Sequence, residues 1–258
     1  MNRNEIRWQQ LLDEAVNKPG SILAAYSQFH QYSMGNSMLA LLQCQQRGIQ
    51  PGPMAPYSRW KELGRYVKRG EKALTLCMPI KVKDKSEERE KDQEKFRTVF
   101  VYKNRWFVLA QTDGEEYTPE PIPDWDKVRA LETLEIQEEP FNSTDGNTQG
   151  YATDGKIAIN PLAELPHKTL FHELAHQVLG HAAEGEMSDT EHVSRNLKEA
   201  EAEAVALLCC EALSLEGAEY CRGYIQSWIK GAEIPERSAQ RIFHAADQIL
   251  RAGRSSEN

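Results

Sequence analysis

The chain has 258 residues, 40% of them hydrophobic, and a formal net charge of -8 at pH 7. That length allows one large domain or two modest ones with separate cores, and two are expected. No run approaches the roughly 18 apolar residues of a membrane span, which excludes a spanning protein of the helical kind. The net charge disfavours nucleic acid only if it is spread evenly, and the basic residues cluster in the first half.

The opening stretch MNRNEIRWQQLLDEAV has the pattern of an amphipathic helix and lacks the continuous apolar core of a secretion signal, so a cytoplasmic protein without membrane association is expected. Five cysteines, Cys44, Cys77, Cys209, Cys210 and Cys221, form no CxxC pair; they suit reduced, mostly buried thiols and give no support to a cysteine zinc ribbon. Next, FHQYSMGNSMLALLQCQQRG suggests a turn at Ser33 to Asn36 and then a helix packing Met38, Leu39, Leu41 and Leu42 inward. Tyr32, Ser33 and Asn36 gather at its start, where free N–H groups can hold a phosphate.

From Tyr57 to Lys72 the sequence supplies Arg59, Lys61, Arg65, Lys68, Arg69 and Lys72 against Glu62 and Glu71. Tyr57, Trp60 and Tyr66 are interleaved with these cations. Flat rings beside cations suit stacking of unpaired bases along a phosphate backbone, a combination that favours single strands over duplex. Tyr32, Asn36, Tyr57, Arg59, Trp60, Lys61, Arg65, Lys68, Arg69 and Lys72 are therefore candidate nucleic-acid contacts. The alternative is that Trp60, Leu63 and Val67 form an ordinary helix core stripe and the cations a solvated face. Two strand-like runs follow, KALTLCMPIKV and FRTVFVYKNRWFVLA, separated by a charged stretch from Lys83 to Lys95 that reads as a long solvated hairpin loop. Acidic, proline-rich DGEEYTPEPIP, residues 113 to 123, has the composition of a linker.

Beyond it, a helix is expected from Trp125 to Leu134, then strands in LEIQEEPF and GYATDGKIAINP around the turn-rich NSTDGNTQ. Pro166 fits the first turn of a helix carrying His172 to Gly180, and Gly180 helps to end it. The alanine- and leucine-rich NLKEAEAEAVALLCCEAL, Asn196 to Leu213, is a clear helix, and a last pair covers Glu219 to Ile229 and Glu236 to Leu250.

FHELAHQVLGH, residues 171 to 181, carries the chemistry. On a helix, His172 and His176 share a face at a separation that lets two imidazoles reach one ion. Glu173 beside the first of them is placed to take a proton from a water. A tetrahedral catalytic zinc needs a third protein ligand and an open position. His181 and His192 are candidates, but His181 follows the helix-ending glycine. Glu199 and Glu203 lie four apart on the following helix among apolar neighbours, where two buried carboxylates need a cation or hydrogen bonds to offset desolvation. Glu199 is assigned as third ligand and Glu203 as the group behind a ligand histidine. Glu201, on another face, is the lesser contender, and the plain alternative is a run of solvated glutamates. One zinc ion per chain is expected from the donor set.

FHQYSMGNSMLALLQ, WKELGRYVKRGEKALTLCMP and WFVLAQT resemble successive motifs of the amino-terminal single-strand-DNA-binding domain of the ArdC-type antirestriction family, and INP, KTLFHELAHQVLGH and the glutamate-rich helix resemble its zinc-metallopeptidase-like domain. The resemblance implies an α+β chain of two domains. Residues 1 to 117 would be an α+β single-stranded-DNA-binding domain, and 118 to 258 a mostly helical, zincin-like domain with a small β-sheet. It matches Glu199, three residues before Ala202, to the third-ligand position of related proteases. The implied role is protection of incoming plasmid or other mobile-element DNA from host restriction. A DNA-localised zinc protease that cuts a DNA-associated protein of the host or element is the alternative. A metal-dependent nuclease is weaker, since two-metal phosphodiester chemistry favours carboxylates over histidines.

Overall fold

The computed structural model describes residues 7–83, 96–181, 194–229 and 233–255. The charged stretch after Lys83, His192 and the first six residues of the expected amino-terminal helix lie outside these. In chain order the elements begin with α1 (Trp8–Asn17), α2 (Ser21–Phe29), α3 (Met34–Arg47), β1 (Met54–Pro56), α4 (Tyr57–Glu62) and β2 (Arg65–Val67). There follow β3 (Leu74–Lys83), β4 (Phe96–Val108), a 3-10 turn at Leu109–Gln111, β5 (Thr112–Gly114), α5 (Lys127–Thr133) and β6 (Gln137–Glu138). The rest is β7 (Gly150–Thr153), β8 (Lys156–Ile159), α6 (Pro166–Val178), α7 (Arg195–Ala212), α8 (Ala218–Ile229) and α9 (Glu236–Ala252). The chain is α+β.

Two compact units result: Met1–Met38 together with Glu120–Asn258, and Leu39–Pro119. Compactness therefore partitions the chain differently from the expected 1–117 and 118–258. The reason is side-chain chemistry in the first 38 residues. Buried Leu11, Leu12, Ile22 and Phe29 give α1 and α2 apolar faces that pack in the same unit as α7 and α9. Glu211 of α7 accepts a hydrogen bond from the Ile22 amide (3.0 Å) and pairs with Arg222 of α8, whose Nε donates to the Val16 carbonyl (3.1 Å). Arg254 donates to the His30 carbonyl at 2.7 Å and to the Tyr26 hydroxyl.

In this first unit α7 is buried continuously from Ala200 to Ala212 and packs against α2, α6, α8 and α9. A helix covered on all sides needs small or apolar residues on every face, which the alanine-rich sequence supplies. A three-stranded sheet, order β6-β8-β7, lies against α6 through β7 and β8. GYATDGKIAINP, expected as one strand, is a hairpin: β7 and β8 pair antiparallel across Asp154-Gly155, and Gly155 has the positive φ of 70° that the tight turn requires.

In the second unit β1, β4 and β3 form an antiparallel sheet, and β2 pairs with β5. The register of β3 on β4 shifts between Leu74 and Thr75; there Gln43 of α3 bonds the strand backbone, accepting from the Thr75 amide (2.9 Å) and donating to its carbonyl (2.8 Å). The turn expected at Ser33 to Asn36 is already the first turn of α3. The linker-like stretch begins inside β5, and α4 is a short helix that ends at Glu62.

Candidate metal centre

Pro166 sits in the first turn of α6, where its missing N–H costs nothing, and Gly180 at φ 71° ends the helix. The chain then folds back so that the His181 amide donates to the His176 carbonyl at 2.8 Å. Helix α6 thus presents His172 and His176 to α7.

His172 Nε2 lies 3.1 Å from His176 Nε2 and 3.5 Å from Glu199 Oε2, and His176 Nε2 is 3.8 Å from the same oxygen. These three residues form the group whose donor atoms converge among the described residues. Ligands about 2.0 to 2.2 Å from one ion at tetrahedral angles stand about 3.3 to 3.5 Å apart, so the observed triangle fits a small divalent cation with little adjustment.

What lies behind the ligands fixes their orientation. His172 Nδ1 is 2.7 Å from Glu203 Oε2, and Lys168 Nζ is 2.7 Å from the other oxygen of that carboxylate. With Nε2 facing the triangle, the ring proton belongs on Nδ1, where it donates to Glu203. His176 is supported less directly: its Nδ1 is 3.1 Å from His181 Nδ1, and His181 Nε2 is 2.9 Å from Glu201 Oε2. Arg241 Nη1 stands 3.5 Å from that same glutamate oxygen. His176 then donates from Nδ1, and His181 accepts there and donates from its own Nε2–H to Glu201. Burial lowers the His181 pKa, outweighing the opposing Glu201 carboxylate, which suits the neutral ring this chain of bonds requires.

Electrostatics favour a cation in the triangle. Hydrogen bonds from His172 and then His176 hold Glu199 well below the usual carboxylate range. Burial lowers the His172 pKa, but Glu199, Glu203 and Glu173 outweigh it and push the ring up to about 9. Burial raises the Glu173 carboxyl, against the pull of both histidines. Several buried carboxylates around two imidazoles need positive charge, which a proton or a metal can supply.

Glu173 and His172 also face a cavity of about 400 Å³ whose lining includes Gln149, Gly150, Lys168, Tyr220 and Tyr224. Gly150 begins β7 directly over α6. A Cβ there would sit 2.7 Å from Thr169 Cγ2 and 3.1 Å from Glu173 Cγ, so the strand can approach the helix this closely only without a side chain. Neither the cavity nor this contact was legible in the sequence. A glycine followed by alternating residues was the sole cue.

The nucleic-acid candidates are differently placed. Tyr32 and Asn36 belong to the first unit and are half-buried, while Tyr57 to Lys72 belong to the second. Tyr57 and Tyr66 are exposed, as are Lys61, Arg69 and Lys72. Trp60 is not available for stacking: it is 1% exposed, its Nε1 donates to the Phe107 carbonyl at 2.8 Å, and Tyr117 meets it edge-on. Its width and apolar rings make it the core of this unit. Arg65 is committed to the β2–β5 strand pair, its Nε donating to Thr112 Oγ1 (2.9 Å), and Lys68 donates to the Ala110 carbonyl (3.0 Å). Arg59 pairs with Glu62 at 3.1 Å on an exposed face. No helix among the described residues is long and apolar enough to cross a membrane.

Residues 2–107 match the N-terminal domain of anti-restriction factor ArdC. No curated protein matches the chain. Among solved structures, the metal-free crystal structure of the antirestriction protein ArdC from plasmid R388 is similar with a TM-score of 0.55 at 21% identity, over 95% of this chain and 94% of that one. The Mn(II)-bound structure of that protein gives 0.51 at 20% identity, over 95% and 97%. At these identities the likeness is one of fold.

Proposed function

We propose that this chain, whose residues 2–107 match the N-terminal domain of ArdC and whose fold is similar to ArdC over nearly all its length, is a single-stranded-DNA-binding antirestriction factor of a mobile genetic element, acting in the cytoplasm and holding one zinc ion in a metallopeptidase-like site. The observation that carries the metal half is the convergence of His172, His176 and Glu199 at mutual distances of 3.1, 3.5 and 3.8 Å, with each imidazole held from behind. Two imidazoles and one carboxylate suit zinc best among common divalent ions. The Mn(II) form of the R388 protein supports a divalent ion in the fold without choosing between the two.

What such an ion supplies when bound is Lewis acidity toward a carbonyl or a water. The protein's own groups do the rest. Glu203 and Lys168 hold the His172 ring, and the His181 and Glu201 pair holds His176. Glu173, buried and with its proton affinity raised, is suited to accept a proton from water at the cavity mouth and return it to a leaving amine. Glu199 stays ionised and faces the triangle.

The second reading, a zinc protease localised on DNA that cleaves a DNA-associated protein, draws support from the cavity beside Glu173, which offers the cleft a substrate needs. Both readings keep the same ligands. They are separated by titrating single- and double-stranded DNA at two salt concentrations against wild type and His172→Ala, with bound metal quantified. One zinc in the wild type, none in the variant and equal single-strand binding would mean that the metal needs a substrate of its own. Binding that does not weaken with salt would overturn the DNA reading, because neutralised phosphates release counterions.

A further inference from the structure

Strands β3 and β4 form a long antiparallel ribbon that bears Lys81, Lys83, Arg97, Lys103 and Arg105 and no carboxylate, in a chain whose net charge is -8. Its register sorts the side chains. Lys83 pairs with Phe96, Lys81 with Thr98, Pro79 with Phe100 and Cys77 with Tyr102, and residues paired in this way share a face because side chains alternate along a strand. The opposite face collects Leu76, Met78, Ile80 and Val82 with Arg97, Val99, Val101 and Lys103, and its apolar members are buried or half-buried. The Lys81 and Lys83 face buries Cys77 beside Tyr102, but its aromatic rings are exposed. Phe96 is 54% exposed, Phe100 57% and Tyr102 39%.

Large aromatics left in solvent cost free energy that folding alone does not recover, so a row of them needs an occupant. The lysines on the same face give it positive charge, which suits an anion with flat faces. Residues two apart on one strand are about 7 Å apart, twice the roughly 3.4 Å rise per nucleotide of a stacked strand, so a base fits between the Phe100 and Tyr102 positions. We propose that this face of the β3–β4 ribbon, through Phe96, Phe100 and Tyr102 with Lys81 and Lys83, is the surface on which single-stranded DNA stacks. The inference rests on the DNA-binding reading above and relocates its aromatic contacts. Of the three rings the sequence offered, Trp60 is in the core while Tyr57 and Tyr66 are exposed, and the ribbon adds Phe96, Phe100 and Tyr102 to the solvent-facing aromatics.

The test is fluorescence anisotropy of a labelled oligothymidylate, and separately of a duplex, with the whole protein. Phe100→Ala and Phe96→Ala/Phe100→Ala alter exposed positions, and circular dichroism and metal content verify that each remains folded. The expected result is single-strand affinity weakened about tenfold or more by each variant, with duplex affinity little changed, since only unpaired bases stack. Lys81→Ala/Lys83→Ala should flatten the salt dependence by up to about 0.7 of a log unit per log unit of salt for each lysine that neutralises a phosphate. If the wild type binds the oligonucleotide and the aromatic variants bind it equally well, the ribbon is not the stacking surface and the DNA reading survives. A wild type that binds no single strand overturns both. Should sedimentation show a wild-type dimer that the aromatic variants dissociate without loss of DNA binding, the face is a self-association surface and the proposal fails.

Discussion

His172 and His176, two of the three histidines of α6, share a helix face but have different support. His172 leans on a carboxylate, and His176 leans on a carboxylate through another imidazole. Removal of Glu199 takes away a donor, so Glu199→Ala should lose the metal outright. Glu201→Ala and His181→Ala should keep it with affinity weakened about 10- to 100-fold, as measured by competition with a chelator. Glu173→Gln should bind metal like wild type and, if a protein substrate is cut, slow that cleavage by about 10² to 10⁴; equal activity of the two would remove Glu173 from the chemistry. Gly150→Ala should cost about 1 to 3 kcal/mol in thermal unfolding, because Thr169 and Glu173 occupy the space a methyl needs. The spacing of His172, Glu173 and His176 was readable because a helix fixes which residues share a face. The roles of Glu201 and His181 were not, because periodicity gives a direction in space but not the neighbour met there.

At the scale of elements, helices were the easiest to read. α7 was expected from Asn196 to Leu213 and spans Arg195–Ala212, and α9 was expected from Glu236 and begins there. α9 has a long amphipathic pattern and α7 a long run of strong helix formers, and the stops of both are local. Short elements were harder: α4 has six residues, too few for its apolar spacing to declare which face is buried. Trp60 illustrates the consequence, since one large ring among cations is consistent with a stacking platform and with a core, and tertiary packing decides. Trp60→Phe should therefore lower the melting temperature while leaving single-strand affinity unchanged, and Trp60→Ala should cost about 3 to 5 kcal/mol. A Trp60→Phe variant with normal stability and poor DNA binding would return that ring to the interface. The two strands of the ribbon were legible from their β-branched and aromatic residues, but which aromatics face water depends on register, and the register shift at Leu74 to Thr75 is set by a glutamine more than 30 positions upstream.

For the whole molecule, composition suggested a cut near residue 117, yet the first 38 residues share a compact unit with the last half. Long-range closure of this kind leaves no mark on composition, since amphipathic α1 and α2 would look the same against any partner. A fragment of residues 118 to 258 should accordingly lose solubility or cooperative unfolding, because it leaves bare the buried apolar surface that α1 and α2 cover. Full solubility and a sharp thermal transition for that fragment would show that the amino-terminal helices are dispensable. Glu211→Ala, which strands Arg222 in the same buried contact, should cost about 3 to 5 kcal/mol. The noncontiguous unit also sets an order in time. At about 5 to 20 residues per second, a ribosome releases α1 and α2 roughly 10 to 35 seconds before it finishes α7. Through that interval Leu11, Leu12, Ile22 and Phe29 have no completed partner, whereas the second unit, which ends at Pro119, is complete about halfway through it. Synthesis thus leaves the apolar faces of α1 and α2 open to chaperones until the helices that cover them are made, and α7 completes both that cover and the candidate metal site.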